Sequence, residues 1–281
     1  MGHSVEYCED ISKLSETKLN IIDSLVIKES TEYLNAQSKN IGLIHLVDHT
    51  INSYNDYDLI VTGEAAKIDL VENCDISDDK IKVVLPGMDN EWRRKESHKK
   101  EVKNLLSVSN FIPGKGVDIL ISVLNQLKSY PWTLKIAGNK KLNSSYYEEI
   151  IGLIEKYGLE DRIELIGSIS RQEINNLMIE ADVMLNFSEK ETFGMAVQEA
   201  IHARLPVVIY KTGAWETFEA SGLVMIVDDY THDKFLTKLQ SIFEEGIDLN
   251  GIDQFEEIPR RTWKLVGQEI ESILLQIEER C

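Results

Sequence analysis

Two glutamates eight residues apart, Glu191 and Glu199, bracket the stretch Thr192-Phe193-Gly194-Met195-Ala196-Val197-Gln198. Just upstream, Val183-Met184-Leu185-Asn186-Phe187 is an apolar run of strand length, and from Met195 to Arg204 small, apolar and polar residues alternate as in a buried helix. The stretch therefore reads as a strand, a glycine turn and a helix amino end. The first N–H groups of a helix have no intrahelical partner and its dipole favours negative charge, so this is an anion site. Eight residues of helix rise roughly 12 Å, too far for both carboxylates to grip one atom. The spacing suits two contacts on one extended ligand, with an anion between them at the amide groups. A second turn, Ser109-Asn110-Phe111-Ile112-Pro113-Gly114-Lys115-Gly116, follows another strand. Its two glycines let the backbone approach a diphosphate, and the Lys115 ammonium would neutralise charge building on such a leaving group.

Glu-x7-Glu with Phe-Gly after the first Glu, set between an apolar strand and Ala203-Arg204-Leu205-Pro206-Val207-Val208-Ile209, resembles the carboxy-terminal domain of the retaining GT-B glycosyltransferases of the group 1 (GT4-like) family. The resemblance implies that Glu191 faces the donor sugar and Glu199 the nucleotide ribose, with the backbone N–H groups of Phe193, Gly194 and Met195 on the sugar and diphosphate. Lys115 matches the family's Lys-Gly lysine, which lies on the donor phosphates; Asn110 stands where many members place an arginine. Gly138, in Ala137-Gly138-Asn139, and Ile169, in Ile166-Gly167-Ser168-Ile169, occupy the matching strand ends. In the family the second of these lies against the nucleobase, mainly through backbone. His49, after Asp48, lies where relatives carry a histidine near the donor sugar; it could orient the sugar or stabilise charge, or be a plain turn histidine. Gly213-Ala214-Trp215-Glu216 takes the place of a Gly-Gly-x-Pro-Glu turn, retaining only Gly213 and Glu216.

The activity implied is transfer of a hexosyl group from a UDP-, GDP- or ADP-sugar to an acceptor hydroxyl on a glycan, lipid-linked or protein acceptor. The family reaction proceeds with retention, without a metal and without a cofactor. Relatives open with a strand and Gly-rich turn in a first domain about as large as the second. Here the corresponding part, residues 1–91, is shorter, so the acceptor side is expected to be reduced. A nucleotide-sugar-binding subunit or regulator without independent catalysis is the alternative, and a homo-oligomer or partner chain is expected to complete the working unit.

Those residues need elements to position them. Leu25-Val26-Ile27, Ile41 to Val47, Leu59-Ile60-Val61 and Ile81 to Leu85 read as short buried strands, with helical spacing from Glu64 to Cys74; residues 1–20 are polar and give nothing to assign. Pro86-Gly87-Met88-Asp89 breaks the pattern, and Leu85 to Asp89 is similar to the Pro-Asn-Gly-Val-Asp that closes the family's first domain. Residues 92–103 carry Arg93, Arg94, Lys95, Lys99, Lys100 and Lys103; they could steer an anionic substrate or simply form a solvated linker. From 104 to 258 the alternation is regular. Strands are expected at 105–108, 133–137, 163–166, 183–187, 207–210 and 224–227, and helices at 117–130, 146–157 and after the capping box Ser170-Arg171-Gln172-Glu173. Strand–helix alternation of this kind makes a doubly wound parallel sheet whose ligands sit at the strand carboxyl ends. The fold expected is thus α/β, GT-B-like, with two Rossmann-like halves. In the last helix, within 259–281, Trp263, Val266, Ile270, Ile273 and Ile277 make one apolar stripe; in the family such a helix crosses back to the first domain.

Composition narrows the partners. A formal charge of −18 over 281 residues argues against a nucleic-acid binder and against unassisted binding to anionic membranes. The three cysteines, Cys8, Cys74 and Cys281, are far apart and show no metal spacing, so a cytoplasmic location is expected. No apolar run reaches membrane-spanning length and the amino end lacks a signal layout. Asp56-Tyr57-Asp58 mimics the metal motif of the other large glycosyltransferase fold, but it precedes its strand rather than following it. It reads as polar residues opening a strand, and no metal ligand is assigned. His45 and His202 read as structural.

Overall fold

The computed structural model describes residues 19–23, 39–45, 47–51, 54–88, 101–219, 221–247 and 261–279. Two compact units divide the chain, Met1–Gly87 with Arg261–Cys281, and Met88–Arg260. The strand expected at Leu25-Val26-Ile27 and the basic stretch from Trp92 to Lys100 lie outside the described residues.

The first unit holds a parallel sheet of β1 (Leu19–Asp23), β2 (Lys39–Ile44), β3 (Asp58–Val61) and β4 (Ile81–Val83), in that order. Helix α1 (Glu64–Cys74) connects β3 to β4. Its Ala66 and Leu70 join Ile44, Leu59, Val61 and Ile81 in one apolar cluster. The last helix, designated α8 (Trp263–Glu279), buries Val266, Ile273 and Ile277 with Ile41, Ile60 and Val84. Polar contacts fix it at both ends: Lys39 Nζ donates to Ile277 O (3.1 Å) and Arg261 Nε to Leu85 O (2.8 Å). Trp263, counted in the apolar stripe, opens the helix and is 45% exposed.

β1 is a departure from the sequence reading, which leaves residues 1–20 unassigned. The strand begins at Leu19, and its second residue is polar: Asn20, only 4% exposed, pairs in register with Asn40, its Nδ2 donating to Asn40 Oδ1 at 2.8 Å. One amide thus bonds the other across the strand pair, at a buried position where hydropathy would look for an apolar residue.

The second unit is a six-stranded parallel sheet of β5 (Asn104–Val108), β6 (Thr133–Ala137), β7 (Ile163–Gly167), β8 (Val183–Asn186), β9 (Val207–Tyr210) and β10 (Val224–Val227), in the order β10-β9-β8-β5-β6-β7. Its helices are α2 (Val117–Gln126), α3 (Ser144–Tyr157), α4 (Arg171–Glu180), α5 (Met195–His202), α6 (Trp215–Glu219) and α7 (His232–Glu245). Helices on both faces explain the unbroken apolar runs, because a central parallel strand is buried on both sides; Val183, Met184 and Leu185 of β8 are all essentially inaccessible. Helix α4 opens with the expected capping box, Ser170 and Glu173 exchanging hydrogen bonds with each other's backbone. Helix α2 stops at Gln126 rather than 130, since the Leu127 carbonyl is taken by the Tyr130 N–H (3.1 Å) and by Trp132 Nε1 (2.8 Å).

The strand order matters most for the site. From β5 the chain builds outward through β6 and β7, then returns to β5's other side and builds through β8, β9 and β10. The order reverses between β5 and β8, and crevices for ligands form at the carboxyl ends of strands at such a switch point. The nearly buried Asp182 aligns the two strands at their other end. Its Oδ2 accepts the N–H groups of Lys103 (3.0 Å) and Asn104 (2.8 Å).

Candidate functional site

The turn after β5 and the turn after β8 leave the sheet side by side, and they interlock. Gly116, at φ 65°, comes so close to Phe187 that a Cβ there would overlap the Phe187 carbonyl oxygen. Two residues earlier, Gly114 O accepts the Glu189 N–H at 2.9 Å. Both glycines of the first turn have positive φ, 83° and 65°, a backbone region that costs other residues roughly 1–2 kcal/mol. Gly116 is thus required twice over, by its φ and by the close approach that lets one loop lie against the other without a side chain between, and Gly114 by its φ alone.

The consequence is an ion pair across the switch point. Lys115 Nζ donates to Glu191 Oε1 at 2.7 Å, with the two side chains 26% and 18% exposed. Glu191 and Lys115 come from turns 76 residues apart in sequence, yet the fold sets ammonium and carboxylate in contact. Immediately after Glu191 the chain turns through Gly194 (φ 103°) into α5, so the free N–H groups of the first helical turn lie on the same loop. Phe193 is buried, its ring edge-on to Phe218 at 5.4 Å, and a Cβ on Gly194 would stand 3.1 Å from the Phe218 ring. Met195 opens the helix, and Glu199 follows one turn later, partly exposed.

A third loop supports the second. Between β9 and α6, Thr212 Oγ1 accepts the Glu191 N–H at 2.9 Å, and the Ala214 N–H donates to Phe193 O at 3.0 Å. Gly213, at φ 67°, brings its backbone so near that a Cβ would stand 2.7 Å from Phe193 O and 2.9 Å from Glu191 Cβ. Lys211 Nζ lies 4.1 Å over the Trp215 ring. Behind the first loop, the Tyr230 hydroxyl donates to Phe187 O (3.2 Å), the carbonyl against which Gly116 packs. Burial, followed by the charges of Glu189 and Asp118, pushes that phenol up to about 12, so it stays a donor. Tyr146 does the same for the amino end of α2: its hydroxyl donates to Asp118 Oδ1 at 2.6 Å and accepts the Asp118 N–H at 3.2 Å. Burial and the Asp118 carboxylate hold its phenol well above the ordinary range.

The remaining residues named from the sequence fall in three places. Gly138 lies at the end of β6, where a Cβ would overlap Ser109 O, and its N–H donates to Gly167 O at 3.0 Å. Asn110 uses its Oδ1 to accept the Asn139 N–H at 3.0 Å. These bonds tie the ends of β5, β6 and β7 together, and Ile169, half-buried, follows β7. His49 sits in the first unit, where Nε2 pairs with Asp69 Oδ2 at 3.2 Å and Nδ1 lies 3.9 Å from Cys74 Sγ. Burial raises the Cys74 thiol. Asp56 closes a short 3-10 turn (Tyr54–Asp56) and Asp58 opens β3, the polar strand opening expected from their position.

Two residues of the site were not singled out from the sequence, Thr212 and Tyr230. For Thr212 a signal existed: a hydroxyl side chain closing a strand directly before a glycine can satisfy a neighbouring loop's backbone. Nothing in the sequence marks Tyr230, whose partner is a carbonyl 43 residues away.

Comparison with known proteins agrees with this geometry. The family description "Glycosyl transferases group 1" matches residues 88–255. The gpi3 subunit of phosphatidylinositol N-acetylglucosaminyltransferase from Schizosaccharomyces pombe is 28% identical over 115 residues, which is 41% of this chain and 25% of the yeast protein. The match thus spans about a quarter of that relative's length. Among solved structures, HepE of Anabaena in complex with UDP-glucose superposes with a TM-score of 0.77 at 20% identity, covering 95% of this chain and 80% of HepE. A glycosyltransferase from Rickettsia africae superposes at 0.75 with 18% identity, covering 100% of this chain and 85% of that one. Both likenesses are of fold. The two parallel α/β sheets have the GT-B architecture, and with more than half its residues matched to the family, the chain belongs to the group 1 glycosyl transferases.

Proposed function

We propose that the chain transfers a hexosyl group from a nucleotide-sugar donor to an acceptor hydroxyl, with retention at the anomeric carbon and without a metal ion. The observation that carries this is the Lys115–Glu191 pair across the β5/β8 switch point, beside the amino end of α5. A diphosphate leaving group develops negative charge as its bond to the sugar breaks. An ammonium and a set of fixed N–H groups stabilise that charge with little reorganisation, and stabilisation of this kind dominates the rate enhancement of many enzymes. In this reading Lys115 and the Phe193, Gly194 and Met195 amides take the diphosphate. Glu191 takes the sugar hydroxyls, and Glu199, further along on α5, the ribose. Gly138 and Ile169 line the nucleobase side through backbone, and His49, its ring oriented by Asp69, is the first unit's candidate for the sugar. The donor is a UDP-, GDP- or ADP-sugar; the Anabaena protein HepE, alike in fold, was solved in complex with UDP-glucose.

The test is release of nucleoside diphosphate from UDP-glucose, GDP-mannose and ADP-glucose, run in excess chelator with mixed acceptors. Proton NMR then reads the anomeric configuration of the product. The expected result is turnover of one donor class, undiminished by chelator, with the donor's configuration kept. Inverted product or chelator-sensitive turnover overturns the corresponding part of the proposal.

A second reading has its own support. The Schizosaccharomyces pombe relative is named as a subunit, and this chain aligns with 25% of it. On that reading the chain binds a nucleotide sugar and works with a partner chain. Binding without turnover, recovered as turnover when a partner is supplied, is its signature.

A further inference from the structure

We infer that Thr212 is a positioning residue for Glu191: its hydroxyl sets where the carboxylate stands against the donor sugar, without touching the donor itself. The inference rests on the reading of Glu191 given above.

Glu191 lies in a loop of irregular structure between β8 and α5, and such a loop holds its shape only where its N–H and C=O groups find partners. The Glu191 N–H finds the Thr212 hydroxyl at 2.9 Å, and the Phe193 carbonyl finds the Ala214 N–H at 3.0 Å. Between those two bonds sits Gly213, whose bare Cα allows the Glu191 Cβ and the Phe193 carbonyl to close against it. Three consecutive residues just past the end of β9 therefore grip the turn at Glu191 and at Phe193. With its N–H fixed and its Cβ packed, the Glu191 side chain is aimed towards Lys115. Of the three contacts, the Ala214 N–H is backbone and survives most substitutions, and Gly213 acts by having no side chain. The third belongs to a side chain, so Thr212 is the position of the three that holds Glu191 by a side-chain group.

This position is also where the turn departs from the Gly-Gly-x-Pro-Glu pattern it resembles: Thr212 precedes Gly213, and Trp215 follows. A glycine before Gly213 could not accept the Glu191 N–H through a side chain. The threonine hydroxyl ties the chain after β9 to the loop after β8. Displacement of a reacting group by about 1 Å can cost on the order of a hundredfold in rate. Loss of one of three tethers should cost less.

The experiment uses the full chain and the pair Thr212→Val and Thr212→Ser. Valine keeps the shape and removes the acceptor; serine keeps the acceptor. Affinity for UDP, GDP and ADP is read by calorimetry, and turnover of whichever of UDP-glucose, GDP-mannose or ADP-glucose the wild type uses is read as kcat and KM. Backbone hydrogen exchange is followed for residues 188–195 and for β8. The expected result for Thr212→Val is about a tenfold loss in kcat, nucleoside-diphosphate affinity within about twofold of wild type, and faster exchange confined to 188–195. Thr212→Ser restores all three. Valine behaving as wild type, or serine failing like valine, overturns the inference. If the wild type turns over no nucleotide sugar, the proposed function falls, and the exchange data still decide the tether: unchanged exchange of 188–195 in Thr212→Val ends it.

Discussion

Each unit of the molecule carries one pairing of a candidate site residue with an opposite partner, and the two are built differently. In the second unit, Lys115 and Glu191 stand 2.7 Å apart on two turns that interlock at Gly116 and are gripped by a third loop through Thr212, Gly213 and Ala214. In the first, His49 meets Asp69 at 3.2 Å, with side chains 45% and 32% exposed. Its aspartate belongs to the surface of α1, and Asn73 also donates to Asp69, at 2.7 Å. A polar pair this exposed contributes little, because water and side-chain entropy compete with it. A pair held by three loops keeps its geometry whatever its own energy. Preorganisation therefore distinguishes the second site, and it resides in the backbone around the charges.

The largest effect should come from that backbone. Gly116→Ala forces a Cβ against the Phe187 carbonyl at a φ of 65°, combining overlap with left-handed strain. It should destabilise the chain by about 3 kcal/mol or more. Gly114→Ala, with a φ of 83° but open space around it, should cost only about 1–2 kcal/mol. Thermal unfolding of both variants checks this; equal losses would mean that the interlock of the two turns contributes nothing.

Next come the carboxylates. Glu199→Ala should lower nucleoside-diphosphate affinity roughly ten- to hundredfold, the loss of a hydrogen bond to a charged group at about 1.5–3 kcal/mol. Glu191→Gln should leave that affinity nearly unchanged while impairing turnover of the sugar donor. Calorimetry with and without the sugar separates the two, and equal loss of diphosphate affinity in both variants would contradict the assignment of one carboxylate to the ribose and the other to the sugar.

A smaller effect is tied to pH. Burial and neighbouring carboxylates raise Tyr230 from 10.0 to about 12. Folded protein then holds the phenolic proton more tightly than unfolded protein does. The stabilisation is complete below about pH 10 and is lost as pH rises through about 12. Tyr230→Phe should remove part of the decline in stability across that window, a modest part, since the residue is 39% exposed. A denaturation series across that range of pH reads it; parallel curves for the two proteins would mean that burial and the carboxylates of Glu189 and Asp118 do not hold the phenolic proton.

Smallest is Arg204→Gly. Arg204 has a φ of 58° just past the end of α5, where glycine is the preferred residue. Relief of strain, less the entropy glycine adds to the unfolded chain, should leave a gain of about 0.5 kcal/mol. Turnover should not change. A loss of stability would show that the arginine side chain does more than tolerate its backbone.

Much of this architecture can be read from residue order. Strands β9 and β10 start and end where apolar runs do, because buried parallel strands need no alternation. The turn glycines and the Glu191–Glu199 spacing mark the candidate site, since close backbone approach and a helix amino end have recognisable residue requirements. Less is visible where a polar group satisfies another polar group at long range. Asn20 with Asn40 hides β1, and Thr212 with the Glu191 N–H hides the tether. The early end of α2 depends on Trp132 reaching back to the Leu127 carbonyl. In each case the hydrogen bond is specified by the fold, and neither partner's identity foretells the other.

Binding of the donor's diphosphate at the β5/β8 switch point, with Lys115 at its centre, is open to a direct titration. The wild-type chain, Lys115→Ala and His49→Ala are each titrated with UDP, GDP and ADP in a calorimeter. One nucleoside diphosphate should bind the wild type, Lys115→Ala should weaken it roughly ten- to hundredfold, and His49→Ala should leave it within about twofold. A folded Lys115→Ala protein that binds as tightly as the wild type, or a folded wild type that binds none of the three at millimolar concentration, would contradict the placement of the diphosphate at this switch point.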